Sequence, residues 1–423
     1  NNYSLIGLSH TYKASSKLKN TTSLFYTYLD HYEPAPFNIL DENTNGYGLR
    51  TLFSGNINIL ENSLFYTFGG ELYKDEYSWG TFDNLYQENN GNGSLQGDRL
   101  SQNKEFRSQL NAFATASYSL TTRLTAQLGL NINKTQYDFR DLFNSGDTNT
   151  SANRDFKALF LPSLDINYTV SPTNQFYANI SRGFSNPSLE ETLTPEGIIN
   201  PDIVQETGTN YEIGINHKSQ NDRLKLDIAF YRMPIKNLLV AKRVSDNQYI
   251  GRNAGKTKHQ GVDLDFSYKI KISDKIRISP FINYTYSNHK FVDFIDDEAN
   301  EDYSGNALTG VPKYKINSGI QTNFGNGLFA NITHQFIDEI PLTDANSLYS
   351  DSFNILNLKL GYKNQISEKF RVGLEFGINN LTNTKYSQSV LINASGFGGN
   401  APRYFYPGNN LNYYGGVILT YTL

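Results

Sequence analysis

The side chains most able to do chemistry in this 423-residue chain gather in a few polar stretches. Asp293–Tyr303, DFIDDEANEDY, carries six carboxylates: Asp293, Asp296, Asp297, Glu298, Glu301 and Asp302. Oxygen-rich loops can hold calcium, but the spacing does not follow the EF-hand loop, and a solvated external loop is the expected reading. Six histidines, His10, His31, His217, His259, His289 and His334, are scattered, with no two at metal-ligand spacing. GRNAGKT (Gly251–Thr257) resembles a phosphate-binding loop at first glance. Its glycines are separated by three residues where four are required, and strand-like sequence follows where a helix is needed.

The chain has no cysteine, which excludes disulfides, thiolate metal sites and cysteine nucleophiles. It has no Gly-x-Ser-x-Gly element and no visible Ser/His/Asp grouping, so no catalytic residue, metal ligand or cofactor is assigned and no enzyme is expected. A net charge of −4 offers no basic face for nucleic acid. What remains is a set of aromatic and arginine side chains in long polar connections: Tyr32, Phe37, Trp79, Phe82, Tyr86, Arg99, Arg140, Arg403, Tyr404 and Tyr406. Tyrosine and tryptophan give large amphipathic contacts, and arginine grips anionic oxygens in a fork. Trp79, Tyr86, Arg99, Arg140, Arg403 and Tyr404 are the candidates for ligand contact. The competing reading makes such aromatics anchors at a membrane interface.

The elements that must position them are strands. In VDLDFSYKIKI (Val262–Ile272) the apolar residues Val262, Leu264, Phe266, Tyr268, Ile270 and Ile272 take every second place, and charged residues fill four of the five gaps. Tyr 30 and Phe 27 against one Trp and one Met favour strands, and abundant Asn and Gly favour turns. Mean hydropathy of −0.51 and only short apolar runs leave nothing near the roughly 20 residues a spanning helix needs. Asn1 opens directly in strand-like sequence, with no signal-like segment.

Short turns recur near Ser16, Glu61, Thr121, Pro172, Asn221, Asp274, Asn326 and Ser367, each between two alternating segments. Long polar connections separate these hairpins. The alternation gives eight hairpins and a final strand, Leu411–Leu423, about 17 strands in all. Strands long enough to cross a bilayer at a tilt, short turns at one end and long loops at the other describe a transmembrane antiparallel β-barrel, its apolar phase toward lipid and its polar phase toward a wet lumen. Pro162 and Pro280 fall inside strands, where β-bulges are expected.

At this point the sequence resembles the TonB-dependent outer-membrane receptors along nearly its whole length. The words that carry the resemblance run in order: YANISRGFSNPSLEE (177–191), QETGTNYEIGINHK (205–218), LDIAFYRMPIKNLL (226–239), GRNAGKTKHQGVDLDFSY (251–268), TGVPKYKINSGI, FGINNLTNTKY (376–386) and APRYFYPG. The resemblance implies a 22-stranded barrel occluded by an N-terminal plug. Nothing here resembles the plug, and an odd number of strands that starts and ends in the same direction does not close antiparallel. Residues 1–423 are therefore expected to be one barrel domain lacking the plug and about five leading strands. The implied function is a Gram-negative outer-membrane receptor that imports a ferric siderophore or other iron chelate with TonB-coupled energy. Implied partners are the energy-coupling TonB complex, reached through the missing plug, the small-molecule ligand, and outer-membrane lipid and lipopolysaccharide; a surface lipoprotein stays open. Vitamin B12, haem, other metal complexes and glycans stay open as ligands. A passive porin, a protein-docking platform and a barrel-embedded enzyme are the alternative functions.

Overall fold

The computed structural model describes residues 2–35, 38–188, 192, 200, 202–245, 248–253, 255–296, 300–394, 396, 399 and 401–422. Among them, seventeen strands reach ten residues or more. They are β1 (Asn2–Ser15), β2 (Leu18–Pro34), β3 (Asn38–Ile59), β4 (Asn62–Asn84), β5 (Gln96–Ser119), β6 (Leu124–Asp141), β7 (Leu159–Ser171), β8 (Asn174–Ser185) and β9 (Glu206–Lys218). The series continues with β10 (Leu224–Lys236), β11 (Lys256–Tyr268), β12 (Ile276–Ser287), β13 (Tyr314–Phe324), β14 (Leu328–Ile337), β15 (Phe353–Gln365), β16 (Phe370–Asn379) and β17 (Asn412–Tyr421). All belong to one antiparallel sheet. Each of the eight expected turns lies between two of these strands. No helix among the described residues is long and apolar enough to cross a membrane, which says nothing of strands.

The chain divides into two compact units, residues 1–166, 181–207 and 239–253 in one, and 167–180, 208–238 and 254–423 in the other. In the second unit, cross-strand partners line up as the apolar row Ile228–Leu264–Tyr284–Ile316–Phe336. One residue along, the row reads Asp227–Asp265–Asn283–Asn317–Gln335. Because side chains alternate across a strand, the two rows stand on opposite faces, and the polar one is knitted by Asn216 Nδ2 donating to Asp227 (2.8 Å) and Asn283 to Asp265. The two-sidedness read from Val262–Ile272 therefore continues across the five strands β10–β14. One face meets hydrocarbon, the other water.

The first unit has the same two faces, but its strands run past the bilayer. β3, β4 and β5 have 22, 23 and 24 residues, about twice the 9–11 needed to span. Much of the sequence that reads as loop between Asp30 and Gly46, and between Asp75 and Gln102, is strand extension. Side-chain bonds across the ladder hold it where apolar alternation stops: Tyr26 to Asn45 Oδ1 at 2.8 Å, and Thr81 to Ser101 at 2.6 Å. A glycine is needed at 48, where a Cβ would lie 1.9 Å from Phe25 Cζ; the ring covers the strand there and stacks on Tyr73.

Pro280 behaves differently from the expected bulge. It pairs with Ile320 in unbroken register. On its other side the ladder lapses at Tyr268–Lys269 and resumes at Ile270–Ile278 in the same register. Proline has no N–H to give, so the partner strand opens a gap and no residue is inserted. Pro162 lies inside β7.

Candidate functional site

In β4 the apolar face runs Leu64, Tyr66, Phe68, Gly70 and Leu72, and then turns polar at Lys74; in β5 it runs from Tyr118 to Leu110 and turns polar at Ser108. Everything toward the long connections from that boundary lies outside the spanning segments. There, on the polar face, β4–β6 build a dense cluster. Asp75 faces Arg107, Tyr77 faces Glu105, and Glu105 and Arg107 face Phe139 and Tyr137 in turn. Arg107 Nε and Nη2 donate to the two Asp75 oxygens at 2.8 and 2.7 Å, a charge-assisted fork. Trp79 stacks on Tyr77 at 4.6 Å and tilts against Phe139 at 5.8 Å. Tyr77 donates to Glu42, whose other oxygen meets His31 Nδ1 at 2.6 Å.

Asn186, Pro187, Ile203 and Gln205 close over this cluster. Tyr137 donates to the Pro187 carbonyl at 3.0 Å, and Asn186 Nδ2 donates to Thr135 Oγ1 at 2.9 Å. Gln205 Nε2 reaches Asn186 Oδ1 at 2.8 Å, and Arg154 donates to the Ile203 carbonyl. Phe156 packs edge-on against Tyr137.

Glu105 is the strained member. It is 1% exposed, its Oε1 has no hydrogen-bond partner, and Arg107 Nε is 3.7 Å away because Arg107 is committed to Asp75. Burial pushes its carboxyl up, Arg107 pulls it partly back and Asp75 pushes it further, to about 7. Below about pH 4.5 both native and unfolded chains hold the proton and Glu105 costs nothing. Between 4.5 and 7 only the unfolded chain ionises, so stability falls as pH rises, and the full cost stands above 7. Glu105→Gln is expected to match the parent near pH 4 and exceed it by on the order of 3 kcal/mol above pH 7.5. Urea unfolding in detergent at the two pH values checks this, and a gain of equal size at both would refute the buried acid.

The sequence-derived candidates are distributed as follows. Trp79 and Arg99 line one cavity of about 330 Å³ with Glu42, Phe82 and Lys104. Arg99 lies over the Phe82 ring at 5.2 Å and donates to Gln102 at 2.5 Å. Arg140 is on the opposite face from Trp79, paired with Asp138 at 2.8 Å and lying 4.6 Å over Phe106. Tyr86 is exposed in the turn after β4, its hydroxyl accepting from Gln87. In the other unit Arg403 is exposed, and the Tyr404 carbonyl accepts from Leu391 N at 2.9 Å. Tyr32 and Tyr406 are exposed, and Phe37 lies outside the described residues.

The remaining motifs resolve simply. GRNAGKT joins the strand Gln248–Asn253 to β11, with Ala254 outside the described residues. In the acidic stretch Asp293 pairs with Lys256 at 2.9 Å and Asp302 accepts from Ser304, while Asp297 and Glu298 lie outside the described residues. Among the described residues no group of three or more His, Asp or Glu stands where it could hold a metal ion. Two histidines the sequence left apart do meet: His259 and His289 stack at 4.5 Å, and burial with the facing ring pushes His259 down to about 4. Sequence reasoning also missed Asp75, Glu105 and Arg107, since nothing local marks a pairing across 32 residues.

A family profile described as TonB dependent receptor-like, beta-barrel, matches residues 1–381. An uncharacterized TonB-dependent receptor of Haemophilus influenzae is 25% identical over 253 residues, 58% of this chain and 68% of its own length. The siderophore receptor PiuA from Acinetobacter baumannii superposes with a TM-score of 0.76 at 16% identity, over 98% of this chain and 64% of that one. The ferric citrate transporter FecA superposes with a TM-score of 0.78 at 16% identity, over 99% of this chain and 61% of that one.

Proposed function

Since the chain belongs to the TonB-dependent receptor-like β-barrel family of the Gram-negative outer membrane, we propose that it is the wall of a receptor importing a ferric siderophore or other iron chelate with TonB-coupled energy. The observation that carries the reading is the family match over nearly all of a sheet with one apolar and one hydrogen-bonded polar face. Such a wall lets a polar solute pass along one side while lipid covers the other. The two solved structures described above are named for a siderophore and for ferric citrate, which supports the choice of iron chelates.

The chain spans 64% and 61% of those two structures, and every residue of β1 is exposed. Both facts support a larger barrel in which a plug and about five further strands complete the wall, the plug engaging the TonB complex. The ligand would first meet aromatic and arginine side chains at the outer ends, among them Trp79, Tyr86, Arg99, Arg140, Arg403 and Tyr404. Deleting the gene under iron starvation is expected to lower uptake of at least one radiolabelled chelate (citrate, catecholate or hydroxamate) several-fold, with recovery on complementation. Uptake unchanged for all three, or undiminished when TonB is removed, would count against the proposal.

A further inference from the structure

We propose that the connections leaving β12 and β14 hold a preformed site for a small amphoteric molecule, a free amino acid or dipeptide that carries both an ammonium and a carboxylate group. The proposal goes beyond the import reading and stands whichever solute is imported. On the apolar face the Tyr314 ring lies 5.5 Å from Tyr286 and 6.4 Å from Tyr284, a cluster that marks the membrane interface. Beside it, among the strand ends, opens a cavity of about 360 Å³. That size falls among small-molecule sites of about 300–1,000 Å³.

The walls of this cavity are fixed. The connection leaving β12 folds back on itself: Leu308 N donates to the His289 carbonyl at 2.9 Å, and Phe291 N to the Asn306 carbonyl at 3.0 Å. It is also tied to the connection leaving β14. Gly310 N donates to the Pro341 carbonyl at 2.9 Å, Ala307 N to Asn346 Oδ1 at 2.8 Å, and Asn346 Nδ2 to the Ala307 carbonyl at 3.0 Å. Phe291, Phe294, Leu308 and Leu342 are buried within these connections. A site held in this way loses little conformational freedom when it is filled.

Strand order sorts the charges. Lys290 follows β12 and Lys313 precedes β13, whereas Asp338 and Glu339 follow β14, and all four line the cavity. Ser287 N donates to the Lys313 carbonyl at 2.9 Å and Asp338 N to the Tyr314 carbonyl at 3.0 Å. The three strand ends therefore stand side by side, lysines toward one side and carboxylates toward the other, with about 10 Å between β12 and β14. Other charges nearby are matched, Lys256 by Asp293 and Lys359 by Glu375. Lys290, Lys313, Asp338 and Glu339 form no ion pair among the described residues, although Lys313 Nζ lies 5.3 Å over the Tyr314 ring. His289 lines the same cavity; its Nε2 meets the Tyr231 hydroxyl at 3.1 Å, and its buried Nδ1 has no hydrogen-bond partner. An orphaned polar atom is costly, and a ligand's polar group would relieve it. Two lysines and two carboxylates leave the cavity without net charge. A simple anion would gain from the lysines and be repelled by the carboxylates, and a polyamine the reverse. A molecule bearing both signs gains at both ends.

The test is equilibrium dialysis of the intact receptor in detergent against radiolabelled alanine and alanyl-alanine, with saturable binding to a single site expected for at least one of them. N-acetyl-alanyl-alanine lacks the ammonium and alanyl-alanine amide lacks the carboxylate. Each should compete about tenfold more weakly or worse, the loss of one charge-assisted bond. Lys313→Gln and Asp338→Asn should each weaken binding by about the same factor, with folding, read by heat-modifiable mobility, unchanged. No saturable binding of either probe would overturn the proposal, as would parent-like binding by both variants. Equal competition by a capped form would also overturn it, since that shows a site for one sign of charge only.

Discussion

Arg107→Leu is expected to destabilise the folded sheet by about 3–5 kcal/mol, the largest single-residue effect on the polar face. Asp75 is 5% exposed and Glu105 1%, and the guanidinium that both carboxyls face covers them from the solvent side with about a third of its own side chain exposed. Removing it leaves Asp75 charged and buried without its fork. The energy measured is thus mostly the cost of an orphaned charge and not the net worth of the pair. The double variant Arg107→Leu with Asp75→Asn should therefore recover most of the loss. Arg107→Lys keeps the charge but not the two parallel bonds, and should fall between. Glu105 is not a second victim, because without Arg107 its carboxyl is pushed further up and stays protonated. Urea unfolding in detergent, followed by tryptophan emission from Trp79 beside the cluster, reads all three. A loss under 1 kcal/mol for Arg107→Leu would mean that water solvates Asp75 once the guanidinium is gone.

The contrast between legible and hidden parts of this site has a physical cause. The strand from Val262 to Ile272 could be read because hydrocarbon on one side and water on the other write a period of two into the sequence. The family words added connectivity. Above the bilayer that selection ends, since both faces of β3–β5 meet polar surroundings, and Asp41, Asn43, Asn45 and Glu76 carry no alternation that marks a strand. The extensions therefore looked like loops. With them went the parity that decides which side chains share a face: Trp79 and Arg99 meet in one cavity, whereas Arg140 lies on the face opposite Trp79, over Phe106. The Asp75–Arg107–Glu105 cluster was hidden for a further reason. Its burial is supplied by distant segments around Phe156, Pro187 and Ile203, and no local pattern announces a cover arriving from 50 residues away.

Phe266→Arg is the second large effect expected, about 2–4 kcal/mol of lost folding stability in lipid, against far less for Asp265→Arg. Phe266 stands midway along the stretch Val262–Ile272, between Leu226 and Ile282 on the apolar face. A guanidinium there must either enter hydrocarbon or bend toward a distant headgroup, and midway along the strand both routes are long. Asp265, one residue earlier, belongs to the row of Asp227 and Asn283 on the polar face, where an arginine finds a carboxylate and water. The two positions share a strand, neighbouring partners and almost the same depth. Any difference between them thus isolates which medium each face meets. Folding into bilayers of fixed thickness, compared for the two variants, gives that difference directly. Equal losses would mean that both faces of the sheet are wet or both are packed, and neither a lipid-facing wall nor a conduit behind it would survive that result.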